Sequence, residues 1–157
     1  MYSLNWFKYP NLFRRVLNLW PPFLGAGISI NALSEDFQYG KVKLRMGLTN
    51  RNFMGTHFGG SLFAMTDMMY AFMLLKHLGE DHIIWDQSSE IKYIKPGRGN
   101  VYAEFFLTEE RIEQIRSDAA GGEKCLETFE VKICDKEGDV VAKVQRTLYI
   151  RLKRNRV

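Results

Sequence analysis

The chain has 157 residues, of which 46% are hydrophobic and 25% are charged, and its formal net charge is +4. This length fits a single domain with a hydrophobic core of its own, and the composition excludes a disordered chain. Four basic residues stand among the last seven positions: Arg151, Lys153, Arg154 and Arg156. Because no recognition helix or zinc-binding spacing accompanies them, we expect no nucleic-acid partner and no metal ion.

The first predicted element is a short amphipathic helix that follows Pro10 and ends at Pro21 and Pro22. Apolar residues recur along it at helical spacing, at Leu12, Phe13, Val16, Leu17 and Trp20. Its apolar face could either pack against a sheet or lie on a membrane surface. The sheet is favoured because the opposite face is not richly basic.

After Gly27 the period of the apolar residues changes to two, which predicts strands. One strand begins at Ile28, a second covers residues 41–46, and four more are predicted at residues 83–95, 101–107, 126–135 and 140–152. A short helix over residues 109–116 interrupts the last four. Strands clustered after a single long helix favour an antiparallel sheet packed on that helix, an α+β fold.

The long helix is predicted from Gly59 to Leu78, with Gly79 as its stop signal, and it is apolar nearly all round. Its apolar run over residues 61–75 is shorter than the ~20 residues of a spanning helix, so no transmembrane segment is expected. The N-terminal residues lack the pattern of a secretory signal. Cys125 and Cys134 fall on one predicted strand and are expected to be free thiols. Together these features predict a cytoplasmic protein.

Two features of the long helix suggest chemistry. Gly59 and Gly60 begin it, so unpaired backbone N–H groups at a partly positive helix end are open to an oxyanion. Asp67 lies among apolar helical neighbours, where burial would raise its pKa unless it has a partner or a task. Eight residues of continuous helix separate Gly59 from Asp67 by about 12 Å, which is too far for both to hold one carbonyl group. If both act, the carboxylate comes from a second subunit.

Five residues of this region form a recognisable pattern: Asn52, Gly55, Gly59, Gly60 and Asp67. With the segments GTHFGGSL, IIWDQSSEIKYIKPGRG and NLWPPFLGAG, the pattern resembles an uncharacterised bacterial branch of the hotdog-fold acyl thioesterases. In that fold a curved antiparallel sheet wraps around a long central helix. The resemblance implies one domain with a hotdog core at residues 28–152, an extra helical extension at residues 1–27 and a basic tail at residues 153–157.

The resemblance also implies roles for individual residues. Gly59 would present its backbone N–H to the thioester carbonyl, and Asp67 of the other subunit would activate water or attack directly. Asn52 would hold the water or the carboxylate by hydrogen bonds. Gly60 and the polar helper Asp86 would contact the substrate. Independently of the resemblance, Lys95 and Arg98 in KPGRG are either candidates for binding the phosphates of coenzyme A or ordinary residues of a turn.

The sequence departs from many relatives in the residue before the glycine pair, which is Phe58 instead of histidine. His57 stands one position earlier, where it is equally well suited to a catalytic role and to a hydrogen bond that fixes the loop. This departure leaves three functions open. The first is hydrolysis of an acyl-CoA or acyl-carrier thioester by a homodimer or dimer of dimers, without a cofactor. The second is dehydration of a hydroxyacyl thioester, and the third is a non-catalytic module that binds acyl thioesters.

Overall fold

The computed structural model describes residues 7–153, so Arg154 and Arg156 of the basic tail lie outside the described residues. Five helices and six strands follow one another in this part of the chain. In chain order they are α1 Pro10–Asn18, α2 Pro21–Ala26, β1 Ile28–Leu33, β2 Tyr39–Leu44, α3 Gly59–Ala64, α4 Met69–Leu78, β3 His82–Tyr93, β4 Val101–Phe106, α5 Glu109–Ala119, β5 Cys125–Asp135 and β6 Val140–Leu152. The predicted strands are confirmed, with ends that differ by at most two residues.

The six strands form one antiparallel sheet in the order β1-β2-β4-β5-β6-β3. Alternate residues of the inner strands face the helices, because successive side chains of a strand point to opposite faces. On β4, for example, Val101, Ala103 and Phe105 are buried, whereas Glu104 and Phe106 are exposed. The sheet and the helices packed on its apolar face constitute a hotdog fold, as the sequence predicted.

From residue 7 onward the N-terminal extension contains two α-helices, so the prediction that Pro21 and Pro22 simply terminate one helix is incomplete. Proline is suited to the first turn of a helix because the N–H it lacks would have no intrahelical acceptor there, and Pro21 begins α2. Phe13 of α1 is buried, and its ring lies 5.6 Å from Phe37 and 5.1 Å from Phe72. The prediction that this face packs on the sheet instead of lying on a membrane surface therefore holds for part of the face, because Phe13 is buried and Leu17 packs against the core, whereas Leu12 and Trp20 are exposed.

The central helix is not continuous, contrary to the prediction. α3 ends at Ala64, Met68 adopts a left-handed conformation with φ of 67°, and α4 begins at Met69. A non-glycine residue rarely adopts a positive φ, so this position marks a real interruption. The 12 Å separation inferred for Gly59 and Asp67 assumed one straight helix, and that assumption is wrong. The predicted end of the helix is confirmed, since α4 stops at Leu78 and Gly79 follows with φ of 84°.

Both cysteines lie on β5 and are free, as predicted. Among the described residues, no helix is long and apolar enough to cross a membrane.

Candidate active site

Two polar side chains lie between the end of α3 and the start of α4. The Thr66 hydroxyl donates to the Phe63 carbonyl at 2.9 Å, and the Asp67 carboxylate accepts from the Met68 amide at 3.0 Å. Threonine and aspartate side chains that bond the adjacent backbone compete with helical hydrogen bonds. The Thr66-Asp67 pair therefore accounts for the interruption that separates the two helices.

Asp67 is not buried, although the sequence suggested that it would be. Its side chain is 48% exposed, because the interruption removes it from the apolar environment that a continuous helix would have given it. It nevertheless has a charged partner inside the protein. Asp67 thus has one side open to solvent and the other held by an ion pair.

That partner is Arg146 on β6, whose side chain is only 5% exposed. Its Nη1 atom lies 3.1 Å from the Oδ1 atom of Asp67 and 2.6 Å from the Oδ2 atom of Asp86. Its Nε donates to the Thr66 hydroxyl at 3.1 Å, and its Nη2 donates to the Phe63 carbonyl at 3.0 Å. The guanidinium also lies 4.8 Å from the centre of the Phe63 ring. A buried arginine needs such complete bonding, because an unpaired charge in the interior is strongly destabilising.

A β-bulge directs the third strand toward this arginine. Asp86 pairs with Leu148 and Ser88 with Thr147, so Gln87 is an extra residue of β3 without a partner on β6. The bulge shifts the alternation of the strand by one residue. As a result, Asp86 before the bulge and Ser89 after it both reach Arg146, and the Ser89 hydroxyl lies 3.3 Å from Nη1.

Asp67 affects the protonation of Asp86. Desolvation and a hydrogen bond with Asp67 raise the pKa of Asp86 to about 6, against the opposing influence of Arg146. Two carboxylates beside one guanidinium carry one more negative charge than the arginine can neutralise, so a proton is retained more readily. The cluster of Asp67, Asp86 and Arg146 therefore changes its charge close to neutral pH.

The sequence analysis identified both aspartates but missed Arg146. A signal was present: the buried alternation of β6 runs through Ala142, Val144, Leu148 and Ile150, and position 146 belongs to the same face. A charged residue at an inward position of a core strand requires a partner of opposite charge. The sequence did not reveal which carboxylates would meet it, since this depends on the bulge in β3 and the break after α3.

Gly59 and Gly60 are the first two residues of α3, as predicted, and Phe58 occupies the capping position without a side-chain cap. A Cβ atom on Gly59 would lie 2.6 Å from the Tyr93 hydroxyl, and one on Gly60 would lie 2.4 Å from the Phe58 ring. Both glycines therefore lie under a side-chain ring, and because Tyr93 and Phe58 are exposed, these rings would have to move to admit a larger residue. α3 has only six residues and is about 9 Å long, so Gly59 stands at its first position and Asp67 lies just beyond its other end.

Asn52 and His57 are bonded within the loop that precedes α3. The Asn52 amide donates to the Thr56 hydroxyl at 2.9 Å, and its oxygen accepts from the Met54 and Thr56 amides. The His57 ring is buried, with Nε2 2.7 Å from the Gly99 carbonyl. Burial lowers the pKa of His57 below its ordinary value, which favours the neutral ring. In this chain both side chains fix the loop.

The two basic candidates also have partners. Lys95 pairs with Asp135 and Asp139, each at 2.7 Å, and these carboxylates raise the pKa of Lys95. Arg98 donates to the Gly55 carbonyl at 3.1 Å and so holds the loop of Asn52. Their predicted role in phosphate binding remains a prediction.

Among the candidates, the structure brings Asp67 and Asp86 together through Arg146 and places the others elsewhere. Asn52, His57 and Arg98 stabilise the loop before Gly59, and Lys95 lies beside the turn between β5 and β6. Within residues 7–153 there is no group of His, Cys, Asp and Glu side chains that could hold a metal ion. The cluster of Asp67, Asp86 and Arg146 is therefore the candidate active site.

The fold and this cluster define a hotdog-fold protein with a carboxylate site. The chain belongs to a family known as a domain of unknown function, DUF4442, whose model matches residues 10–150. No curated protein sequence matches it.

Solved structures resemble the whole domain. A Pseudomonas aeruginosa protein described as a probable thioesterase has a TM-score of 0.79 at 22% identity, with 90% of this chain and 95% of that chain covered. A Chlorobaculum tepidum protein of unknown function has a TM-score of 0.76 at 18% identity, with 96% and 100% covered. A Haemophilus influenzae thioesterase has a TM-score of 0.67 at 14% identity, with 91% and 90% covered. At these identities the resemblance establishes the fold.

Proposed function

We propose that this protein hydrolyses acyl thioesters, with an acyl-CoA or an acyl-carrier thioester as substrate and Asp67 as the reacting carboxylate. The observation that carries this proposal is the state of Asp67: half exposed on one side and held by the buried Arg146 on the other. A carboxylate that is accessible yet oriented is suited to activate water or to attack a carbonyl carbon. The thioesterases among the structural neighbours support the same class of reaction.

The start of α3 supplies the second part of the proposed site. The first backbone N–H groups of a helix lack intrahelical acceptors, and at Gly59 and Gly60 no side chain of their own shields them. Such donors stabilise the oxyanion that forms when a thioester carbonyl is attacked. Hydrolysis then breaks the bond between carbon and sulfur, and the thiol leaves with a proton as the carboxylic acid forms.

We propose that the complete site is formed by two subunits, with Gly59 from one protomer and Asp67 from the partner subunit. β3 is an edge strand of twelve residues, and its central residues are exposed. Large apolar side chains are exposed on β3, at Trp85 and Tyr93, and on the segments before α3 and after β3, at Phe53, Met54, Phe58 and Ile94. Exposed edges and apolar patches of this kind are typical of association surfaces. A homodimer, or a dimer of such dimers, would cover them.

The test is a thiol-release assay over a panel of acyl-CoA chain lengths with wild type and Asp67→Asn. We expect Asp67→Asn to lower kcat by at least about a hundredfold, the range assigned to a lost acid-base group. Asp118→Asn, which changes an exposed carboxylate on α5, is the matched control and should retain wild-type rates. Equal rates for Asp67→Asn and wild type would refute the assignment.

One observation favours a second candidate, a non-catalytic module that binds acyl thioesters. Asn52, His57 and Arg98, which surround the start of α3, are all bonded within the chain. Isothermal titration with a non-hydrolysable acyl-CoA analogue separates the two functions. Binding that is unaffected by Asp67→Asn, without any turnover of the corresponding thioester, would favour the module.

Dehydration of a hydroxyacyl thioester is not proposed. That reaction needs a histidine open to the substrate, and His57 is 3% exposed with one ring nitrogen bonded to Gly99. If the protein hydrates an enoyl thioester, measured as a loss of ultraviolet absorbance, dehydration becomes a candidate function again.

A further inference from the structure

The bonding of Arg146 points to a role for Asp86 beyond that of a polar helper. A single nitrogen, Nη1, contacts both Asp67 and Asp86, and it is closer to Asp86. The remaining nitrogens of the guanidinium are bonded to Thr66 and to the Phe63 carbonyl, so the arginine is fixed in place. A change in the charge of Asp86 therefore changes how strongly Nη1 interacts with each of the two carboxylates.

We propose that Asp86 and Arg146 are positioning residues for Asp67, in which the protonation of Asp86 decides how strongly Arg146 holds the Asp67 carboxylate. When Asp86 is ionised, the guanidinium is shared between the two carboxylates, and Asp67 is held less tightly. When Asp86 takes up a proton, the guanidinium pairs with Asp67 alone and draws electron density from it. This inference rests on the proposed role of Asp67 in hydrolysis.

Three charged groups take part in this change of pairing: Asp67, Asp86 and Arg146. The charges that act on Asp86 are those of Asp67 from the turn after α3 and Arg146 from β6. The titratable group of α4 near the inner face is Tyr70, whose pKa burial raises, so it stays neutral. Arg111 of α5 is paired with Glu127 of β5. Ser89 of β3 is the neutral partner that remains beside Arg146 in either state.

The proposal predicts a pH profile that a merely structural residue would not produce. In wild type, kcat for thiol release should fall as the pH drops below about 6, where Asp86 gains its proton. In Asp86→Asn the guanidinium is always held by Asp67 alone. This variant should therefore lose the fall near pH 6, with kcat about tenfold lower at pH 7.5 and KM within about twofold of wild type.

A second measurement does not depend on activity. In protein labelled with carbon-13 at the aspartate carboxyl groups, the Asp86 signal is assigned by its absence in Asp86→Asn and titrated by NMR. Removal of the neighbouring carboxylate in Asp67→Asn should lower the pKa of Asp86 from about 6, and Arg146→Lys should raise it. Asp118→Asn is the matched control and should leave it unchanged.

The two measurements separate the inference from the proposed function. A wild-type fall near pH 6 that persists in Asp86→Asn, or an Asp86 titration that is the same in wild type and Asp67→Asn, would overturn the inference. If wild type releases no thiol from any thioester of the panel, hydrolysis is refuted, and the NMR titration alone decides whether the carboxylates are coupled.

Discussion

The two edge strands of the sheet, β1 and β3, have different surroundings. The N-terminal helix covers β1: the Asn18 side chain donates to the Ile30 carbonyl at 3.1 Å and accepts from the Ile30 amide at 2.7 Å. Arg14 adds a bond to the Asn31 carbonyl at 2.9 Å. The exposed backbone of β1 is thereby bonded much as a neighbouring strand would bond it.

No element in the described part of the chain covers β3 in this way, although β3 is twice as long as β1. Exposed edges favour pairing with other chains unless they are covered or charged. The contrast indicates that the N-terminal extension protects one edge, while the other edge remains available. A dimer with a shared site requires an uncovered edge strand such as β3.

β3 is instead held from the inner face of the sheet. Arg146 of β6 bonds Asp86 and Ser89 on either side of the bulge, and it joins them to the turn that carries Asp67. The β1 edge is thus bonded from outside the sheet by the Asn18 side chain, and β3 is bonded from the inner face by the Arg146 guanidinium. Five variants test this contrast.

The largest effect is expected from Arg146→Met. The substitution keeps an unbranched apolar side chain but leaves Asp67 and Asp86 without their cation. Because Asp67 is half exposed, we expect the free energy of unfolding to fall by about 2–3 kcal/mol, less than for a fully buried pair. Urea denaturation at pH 7.5 measures it. Arg146→Lys keeps the charge and should lose less, and equal losses for both variants would assign the effect to packing alone.

The next effect concerns the open edge. The double substitution Gln87→Lys and Ser88→Lys adds two charges at exposed positions of β3. If β3 pairs with its copy, like charges face each other, and the dimer should dissociate at least about tenfold more readily. Sedimentation velocity measures the dissociation, and thiol release should decline with the dimer. The matched control places one lysine on the outer face of β5 by Thr128→Lys. A variant that sediments as wild type would locate any association elsewhere.

Asn18→Ala tests the covered edge. It leaves the amide and carbonyl of Ile30 without their partner, so the free energy of unfolding should fall by about 1–2 kcal/mol. Asn18→Asp can accept but cannot donate, and its loss should be intermediate. Chemical denaturation gives both values. The oligomeric state should be the same as in wild type, in contrast to the β3 variant.

Asp86→Asn changes the dependence of stability on pH. The folded-state pKa of Asp86 is about 6, above the ordinary value, so the folded protein binds this proton more tightly than the unfolded chain. The stabilisation from that proton is present at low pH and is lost as the pH rises through about 6. The stability of wild type relative to Asp86→Asn should therefore decrease from pH 4.5 to pH 7.5. Urea midpoints at the two pH values test this, and a constant difference would contradict it.

The smallest effect on stability is expected from Gly59→Ala. The new methyl group meets the Tyr93 hydroxyl, but Tyr93 is exposed and can rotate away, so unfolding should change by less than about 1 kcal/mol. Thiol release should nevertheless decline, because the methyl group and the displaced ring crowd the helix start. Gly25→Ala has open space around it and is the control for both measurements. Unimpaired release by Gly59→Ala would argue against an oxyanion site at this helix start.

Much of the fold follows from local patterns in the sequence. The alternation along β2, β4 and β5 predicts strands because a strand with one buried face repeats every two residues. Gly79 predicts the end of α4 because it accepts the positive φ that terminates a helix. The apolar positions of α1 predict a packed face, and Phe13 is buried there, whereas Leu12 is exposed.

The break after α3 was not predicted because apolar periodicity continues across it. Thr66 and Asp67 are polar residues within an apolar run, and their side chains bond the backbone only when the surrounding structure allows the turn. Propensity cannot decide this outcome, since both residues are tolerated in a helix. The exposure of Asp67 follows directly from the break.

Residue types and their spacing along the chain were sufficient for an α+β fold, for the glycines at the start of α3 and for Asp67 as a candidate. The hotdog fold and Asp86 were implied by the resemblance to the acyl thioesterases. Only the tertiary structure decided that Asp67 and Asp86 share Arg146, a residue 60 positions from one and 79 from the other. A single extra residue in β3 brings these side chains to the same face, because every shift of one residue in a strand exchanges its two faces.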